Sequence, residues 1–171
     1  PKYFQVLGSR AVPVVLTDPK TGVSDFTRDI LYVAGLFDGE PIHVMVGHWP
    51  SRRGGESGSA WMRAAAAAVC RQVSDSLRTV NPDAKIIVMG DLNDDPTDKS
   101  LTKVLGAKGK AEDVTNEEFY NPMYDMFKGG NGTMAYRDAW SLFDQVVVSK
   151  ALVNKKVSGW QLYKAMVYRQ P

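Results

Sequence analysis

An α/β fold is what this sequence predicts, and three observations carry the prediction. Extended apolar runs alternate with turns over the first part of the chain. The segment from Ala60 to about Val80 then switches to an apolar period of three to four residues, and short strand-like runs return after it. With 171 residues, 44% hydrophobic and 23% charged, the chain has the size and composition of one globular domain that can bury its own core. Those values exclude a disordered, coiled-coil or collagenous chain. A formal charge of +2 gives no support to a nucleic-acid-coating role, although a local basic patch stays open. The single cysteine, Cys70, excludes an internal disulfide and a cysteine-based metal cluster. No apolar run approaches the ~18 residues of a membrane span. Pro1-Lys2-Tyr3-Phe4 is no signal peptide, and the missing initiator Met leads to the expectation of a processed or trimmed chain.

Along the chain, a first strand is expected from Ala11 to Leu16, followed by a turn at Asp18-Pro19-Lys20-Thr21-Gly22. Ile30 to Phe37 and Pro41 to Val46 are strand-like and are joined by the hairpin signal Asp38-Gly39. Ile42, Val44 and Val46 share one face of the second run while Met45 and His43 share the other, so both faces are expected to be covered. Gly47-His48-Trp49-Pro50 ends that strand, and Ser51 to Ser59 reads as a polar, glycine-rich loop. In the helix, Met62, Ala66, Val69, Val73, Leu77 and Val80 form one narrow apolar stripe, with Arg63, Arg71 and Arg78 on a solvated face opposite. Asn81-Pro82 stops it. Lys85 to Met89 is a short buried strand opening into Gly90 to Asp98, and Asp98 is placed to cap a second helix that closes at Gly106. Residues 107–132 read as loop-rich, ending in Gly129-Gly130-Asn131-Gly132. Thr133 to Arg137, Leu142 to Ser149 and Trp160 to Tyr168 are the remaining strand candidates. Nothing repeats at a fixed period and no linker divides the chain.

Chemistry concentrates in Gly90-Asp91-Leu92-Asn93-Asp94-Asp95-Pro96-Thr97-Asp98, where acids and an amide crowd the end of an apolar strand. Alone, an Asp-x-Asn here reads better as an Asx-rich turn capping the next helix. A calcium-loop reading fails, because Pro96 stands at position six and Thr102 at position twelve. His48 lies where a buried strand opens into the glycine-rich loop. His43 is five residues away on the opposite face and reads as structural. Ser51 beside His48 lacks the Gly-x-Ser-x-Gly elbow of a nucleophile. Arg52 and Arg53 offer forked donors suited to phosphate, with two solvated arginines as the alternative. Asp144 enters a valine-rich strand, a costly position unless it is paired or at the mouth of a site.

Three ordered segments carry a resemblance. Gly47-His48-Trp49-Pro50-Ser51-Arg52-Arg53-Gly54-Gly55, Gly90 through Pro96, and Phe143-Asp144-Gln145-Val146-Val147-Val148-Ser149 are similar to the endonuclease/exonuclease/phosphatase superfamily, and Thr27-Arg28-Asp29-Ile30-Leu31 resembles the strand start before the histidine strand. The resemblance implies part of a DNase I-like four-layer α/β/β/α sandwich with mixed, largely antiparallel sheets, formed by residues 1–171 as a single domain incomplete at both ends. It also implies metal-assisted hydrolysis of a phosphodiester or phosphomonoester by direct attack of water. Carried over, Asp91 orients and deprotonates the water, while Asn93 and His48 hydrogen-bond the phosphoryl oxygens. Asp144 orients a catalytic histidine, and Arg28, Arg52 and Arg53 contact substrate phosphate. Asp91 is also a candidate ligand for Mg²⁺, with Mn²⁺ or Ca²⁺ as alternatives.

The implied partner is a phosphate ester, nucleic acid among the candidates, and the expected state is a monomer. The His-Trp-Pro-Ser-Arg-Arg-Gly-Gly run resembles bacterial members, many of them exported, which points to the periplasm or beyond. The family's early strands carry an Asn and a Glu that hold Mg²⁺, and its late Ser-Asp-His element supplies the catalytic histidine; neither pattern stands here. The expectation is therefore a central-to-late portion of a larger protein, inactive as 171 residues alone. A binding domain that kept the sandwich and lost the chemistry is the rival reading. A carbohydrate-binding or structural α/β domain is a third, and it leaves the combination of His48, Asp91, Asn93 and Asp144 unexplained.

Overall fold

The structure is a computed structural model and describes residues 3–136 and 138–166. The strands are β1 (Phe4–Val12), β2 (Val15–Thr17), β3 (Ser24–Phe26), β4 (Ile30–Phe37) and β5 (Glu40–His48), then, after helix α1 (Glu56–Val80), β6 (Ile86–Asp91). One π-helical turn, Ser100–Leu105, leads to β7 (Ala107–Lys108) and β8 (Phe119–Tyr120). Helix α2 (Met123–Lys128), the β9 (Met134–Tyr136) and β10 (Ala139–Ser141) hairpin, and β11 (Asp144–Ser149) complete the order. Seven strands form one sheet in the order β1-β4-β5-β6-β11-β8-β7, antiparallel except at β5–β6 and β7–β8.

The parallel β5–β6 pair exists because α1 intervenes: a parallel neighbour needs a crossover connection, and the periodic Ala60–Val80 segment supplies it. The core lies between α1, the π-helical turn and one face of the sheet. It brings Ala66, Ala67, Cys70 and Val73 of the helix against Met45, Ile86, Val88 and Val147 of the strands. Met62, Val69 and Leu77 pack on its border, whereas Val80, the last residue of the expected stripe, is 87% exposed.

Several expectations are corrected. The first strand begins at Phe4 and breaks at Pro13-Val14, so the run read as one strand is the end of β1 followed by β2. Strand β5 is covered fully on one face and only in part on the other: Ile42 is buried there, whereas Val46, with Leu31 of β4 and Met89 of β6, is exposed. The three helix arginines are not a solvated face. Arg63 is fully buried, and Arg78 lies over the Phe119 ring at 4.5 Å and donates to the carbonyls of Glu117 and Glu118. Arg71 grips Asp75 through its Nε. Asp98 does not cap a second α-helix, because its carboxylate takes the Asp95 N–H and Arg52 instead; the turn that follows is π-helical and closes at left-handed Gly106 as expected. Trp160–Met166 forms no strand. The Trp160 indole packs on Phe37 and its main-chain N–H donates to Glu40, while residues 167 and 168 of that expected strand lie outside the described residues, as does Arg137 of the Thr133 strand.

Glu40 fastens this late segment to the sheet, because its carboxylate also accepts from Lys85, whose ammonium donates to the Ser158 carbonyl as well. The Lys85 hydrogen bond, then the Trp160 N–H, hold the Glu40 carboxyl below its ordinary 4.5. A depressed folded value means the contribution to stability is complete above about pH 4.5 and is lost as pH falls through the lower folded value. The gap in unfolding free energy between wild type and Glu40→Gln is thus expected to be wider at about pH 6 than at about pH 3. Urea denaturation at both values checks it, and an equal gap would contradict the assignment.

Candidate active site

His48 is the last residue of β5 and Asp91 the last of β6, and the parallel register sets them side by side. Asp144, the first residue of β11, is the antiparallel partner of Asp91. Alternation along the strands carries all three onto the face shared by Val46, Met89 and Val146, opposite α1. The His48 Nε2 lies 3.4 Å from the Asp91 Oδ2, with the side chains 54% and 35% exposed, so the pair is accessible to a ligand. The Asp144 carboxylate is exposed beside them, and its backbone N–H and that of Phe143 donate to the Thr133 hydroxyl.

Asn93 joins this group through strained backbone. Its φ is +51, unusual for a residue with a Cβ, and three contacts hold it there. Its N–H donates to the Asp91 Oδ1 at 3.0 Å, its Nδ2 to the Trp49 carbonyl at 2.9 Å, and its own carbonyl accepts from the Arg52 Nε at 3.0 Å. Its Nδ2 carries a second hydrogen, on a residue that is 8% exposed. Two glycines allow the strand ends to meet: a Cβ on Gly90, whose φ is +127, would lie 2.0 Å from the Gly47 carbonyl oxygen. Gly90→Ala is expected to cost at least the ~1–3 kcal/mol of its backbone conformation, with the overlap in addition. A urea midpoint within error of wild type would refute that close approach.

The arginines separate. Arg28 donates its Nε to the His48 carbonyl and its Nη2 to the Trp49 carbonyl, so it braces the loop while its exposed remaining donors face solvent. Arg53 is exposed. Arg52, expected on phosphate, is turned inward: Glu56, Asp95 and Asp98 take its Nη groups, and Phe143 lies beneath it. Three carboxylates and a carbonyl outcompete solvent for its fork.

Sequence reasoning missed the buried frame behind the site. Arg63 donates to Asp94, whose other oxygen accepts from Ser100; burial raises the Asp94 carboxyl above its ordinary range, offset in part by these hydrogen bonds. Gln145 donates to the Asp94 and Leu142 carbonyls and accepts from Asn121. The available signal was the crowding of Asp91, Asp94, Asp95 and Asp98 within one turn, which demands cations beside it. The Trp49 indole N–H is buried without a partner among the described residues.

For a divalent ion, Asp91 and Asp144 offer exposed hard oxygens of the kind Mg²⁺ takes. Among the described residues no three His, Cys, Asp or Glu side chains form a group able to hold an ion. No helix among the described residues is long and apolar enough to cross a membrane.

Similarity to solved structures establishes the DNase I-like fold. The human Nocturnin catalytic domain with bound sulfate matches with a TM-score of 0.56 and 15% identity over 87% of this chain and 49% of that one. A truncated TDP2 from Caenorhabditis elegans gives 0.55 and 19%, covering 86% and 54%. An endonuclease/exonuclease/phosphatase family protein from Bacteroides thetaiotaomicron gives 0.52 and 16%, covering 86% and 51%. This chain thus spans about half the length of each. No curated protein matches the sequence. The family match covers residues 1–171, and the chain belongs to the Endonuclease/Exonuclease/phosphatase family.

Proposed function

We propose that the protein carrying this chain hydrolyses phosphate esters by direct attack of water at the sheet end formed by His48, Asp91, Asn93 and Asp144. The observation that carries the reading is the juxtaposition of an exposed carboxylate, an imidazole 3.4 Å from it, and an amide held at φ +51 within two residues of that carboxylate. The types suit the reaction. The Asp91 carboxylate accepts a proton from the attacking water, and the His48 ring N–H and the remaining Asn93 amide hydrogen donate to phosphoryl oxygens as their charge grows. Arg53 and the outer donors of Arg28 attract and seat the phosphate. Mg²⁺, held by Asp91 together with substrate oxygens, would neutralise phosphate charge. Asp144, paired with Asp91 across the strands, offers the carboxylate that would orient a catalytic histidine other than His43 and His48.

The test is turnover by the full-length protein, with Mg²⁺ and with EDTA, of bis(p-nitrophenyl) phosphate, p-nitrophenyl phosphate and plasmid DNA. EDTA-sensitive hydrolysis of at least one is expected. A folded protein that turns over none of the three would overturn the reading in favour of a binding domain.

A further inference from the structure

We infer that Arg52 is a positioning residue, one guanidinium that fixes the three segments of the site relative to one another; the inference rests on the proposed hydrolysis. Arg52 stands four residues after His48. Its Nε donates to the carbonyl of Asn93 itself at 3.0 Å. Its Nη2 donates to Asp95 Oδ2 at 3.1 Å and Asp98 Oδ2 at 2.7 Å, and its Nη1 to Glu56 Oε2 at 2.9 Å. The plane of the group packs over the ring of Phe143, 4.6 Å from its centroid, and Phe143 is the residue before Asp144. The loop after β5, the turn after β6 and the turn before β11 therefore meet at one side chain.

The acceptors pass the constraint on. Asp95 uses its second oxygen, Oδ1, to accept the Leu142 N–H at 2.7 Å, and Asp98 Oδ2 also accepts the Asp95 N–H at 2.7 Å. The Leu92 N–H donates to the Phe143 carbonyl at 2.8 Å. Without the cation, Asp95, Asp98 and the buried Asp94 would repel one another inside one turn, and the Asn93 carbonyl would lose the partner that helps to hold its left-handed backbone. A lysine cannot substitute, since its single ammonium cannot present donors at the separated Nε, Nη1 and Nη2 positions. With its charge consumed by carboxylates, Arg52 adds little to the attraction of substrate, which falls to Arg53 on the same loop.

The experiment compares Arg52→Lys, Arg52→Met, Asp95→Asn and Arg53→Ala in the full-length protein. It uses kcat and KM on whichever phosphate ester the wild type hydrolyses, together with hydrogen exchange of the Asn93, Asp95 and Leu142 amides. Arg52→Met and Arg52→Lys are both expected to lower kcat by about 10–10²-fold with KM nearly unchanged, as a small misplacement of reacting groups does. Both should raise exchange at the three amides by about tenfold or more. Asp95→Asn, which keeps shape and weakens the clamp from the other side, should shift kcat in the same direction, and combining it with Arg52→Met should add little. Arg53→Ala should raise KM and leave the three amides protected. An Arg52→Met protein with raised KM, intact kcat and unchanged exchange would overturn the inference and return Arg52 to phosphate binding. Full rescue by Arg52→Lys would overturn it too. A wild type that hydrolyses no phosphate ester removes the functional reading, yet exchange still decides the clamp: raised exchange in Arg52→Met supports it, and unchanged exchange overturns it.

Discussion

Asp91→Asn in the full-length protein is expected to lower kcat by about 10²–10⁴-fold while KM stays within about twofold. The substitution leaves the shape of the site in place. The Asn93 N–H, now bonded to Asp91 Oδ1, can donate to a carboxamide oxygen, and the backbone pairing of Asp91 with His48 and Asp144 does not involve the side chain. What disappears is the carboxylate assigned to take the proton of the attacking water, so the loss falls on the chemical step. Asn93→Ala should also act mainly on kcat, by about 10²–10³-fold, because its amide is needed when charge develops on the phosphoryl oxygens. Arg53→Ala should instead raise KM and weaken the dependence on salt. Measuring both constants for the three variants on one substrate tests the division of roles. If Asp91→Asn kept near wild-type kcat while Arg53→Ala lost it, the proton acceptor would lie elsewhere and the loop would belong to the reaction centre.

The juxtaposition behind this expectation was legible because it depends on local rules. His48 closes one apolar strand, Asp91 closes another, and a helix of 25 residues between them requires a parallel neighbour, so both side chains arrive at one sheet end. Asp144, at the start of a valine-rich strand, follows once that strand pairs antiparallel with β6. Periodicity does not reveal which polar side chains turn inward. Arg63 sits off the apolar stripe and reads as solvated, yet it is buried because a carboxylate 31 positions away needs it. Arg52 beside Arg53 looks like half of a matched pair, and the structure divides them by acceptors at Glu56, Asn93, Asp95 and Asp98, three of them some forty positions away. The partial cover of the second face of β5, where Ile42 is buried and Val46 exposed, was equally hidden. An apolar outer face such as Leu31, Val46 and Met89 has the same sequence pattern whether or not something packs on it.

Asp94→Ala should produce the largest loss of stability, about 3–5 kcal/mol, because it strands a fully buried cation. Arg63 is 0% exposed and donates its Nε to Asp94 Oδ1 at 2.5 Å; its other donors go to the Ser59 hydroxyl and to the Glu56 and Ser51 carbonyls, none of which carries charge. Arg52, whose Nη2 is 3.5 Å from Asp94 Oδ1, cannot neutralise a second cation. The carboxylate is itself costly to bury, as the raised value of Asp94 shows, so the pair is not a net source of stability comparable to the loss of one member. Arg63→Met combined with Asp94→Leu is therefore expected to recover most of the stability lost in Asp94→Ala. Urea denaturation with matched m-values measures both variants. A loss below about 1 kcal/mol in Asp94→Ala, or a double variant as unstable as the single one, would mean that water reaches Arg63 and that the ion pair is not buried as described. The double variant should still turn over slowly, since Asp94 adjoins Asn93 in the turn and an apolar pair restores packing there without restoring the hydrogen bond from Ser100 that fixes the turn.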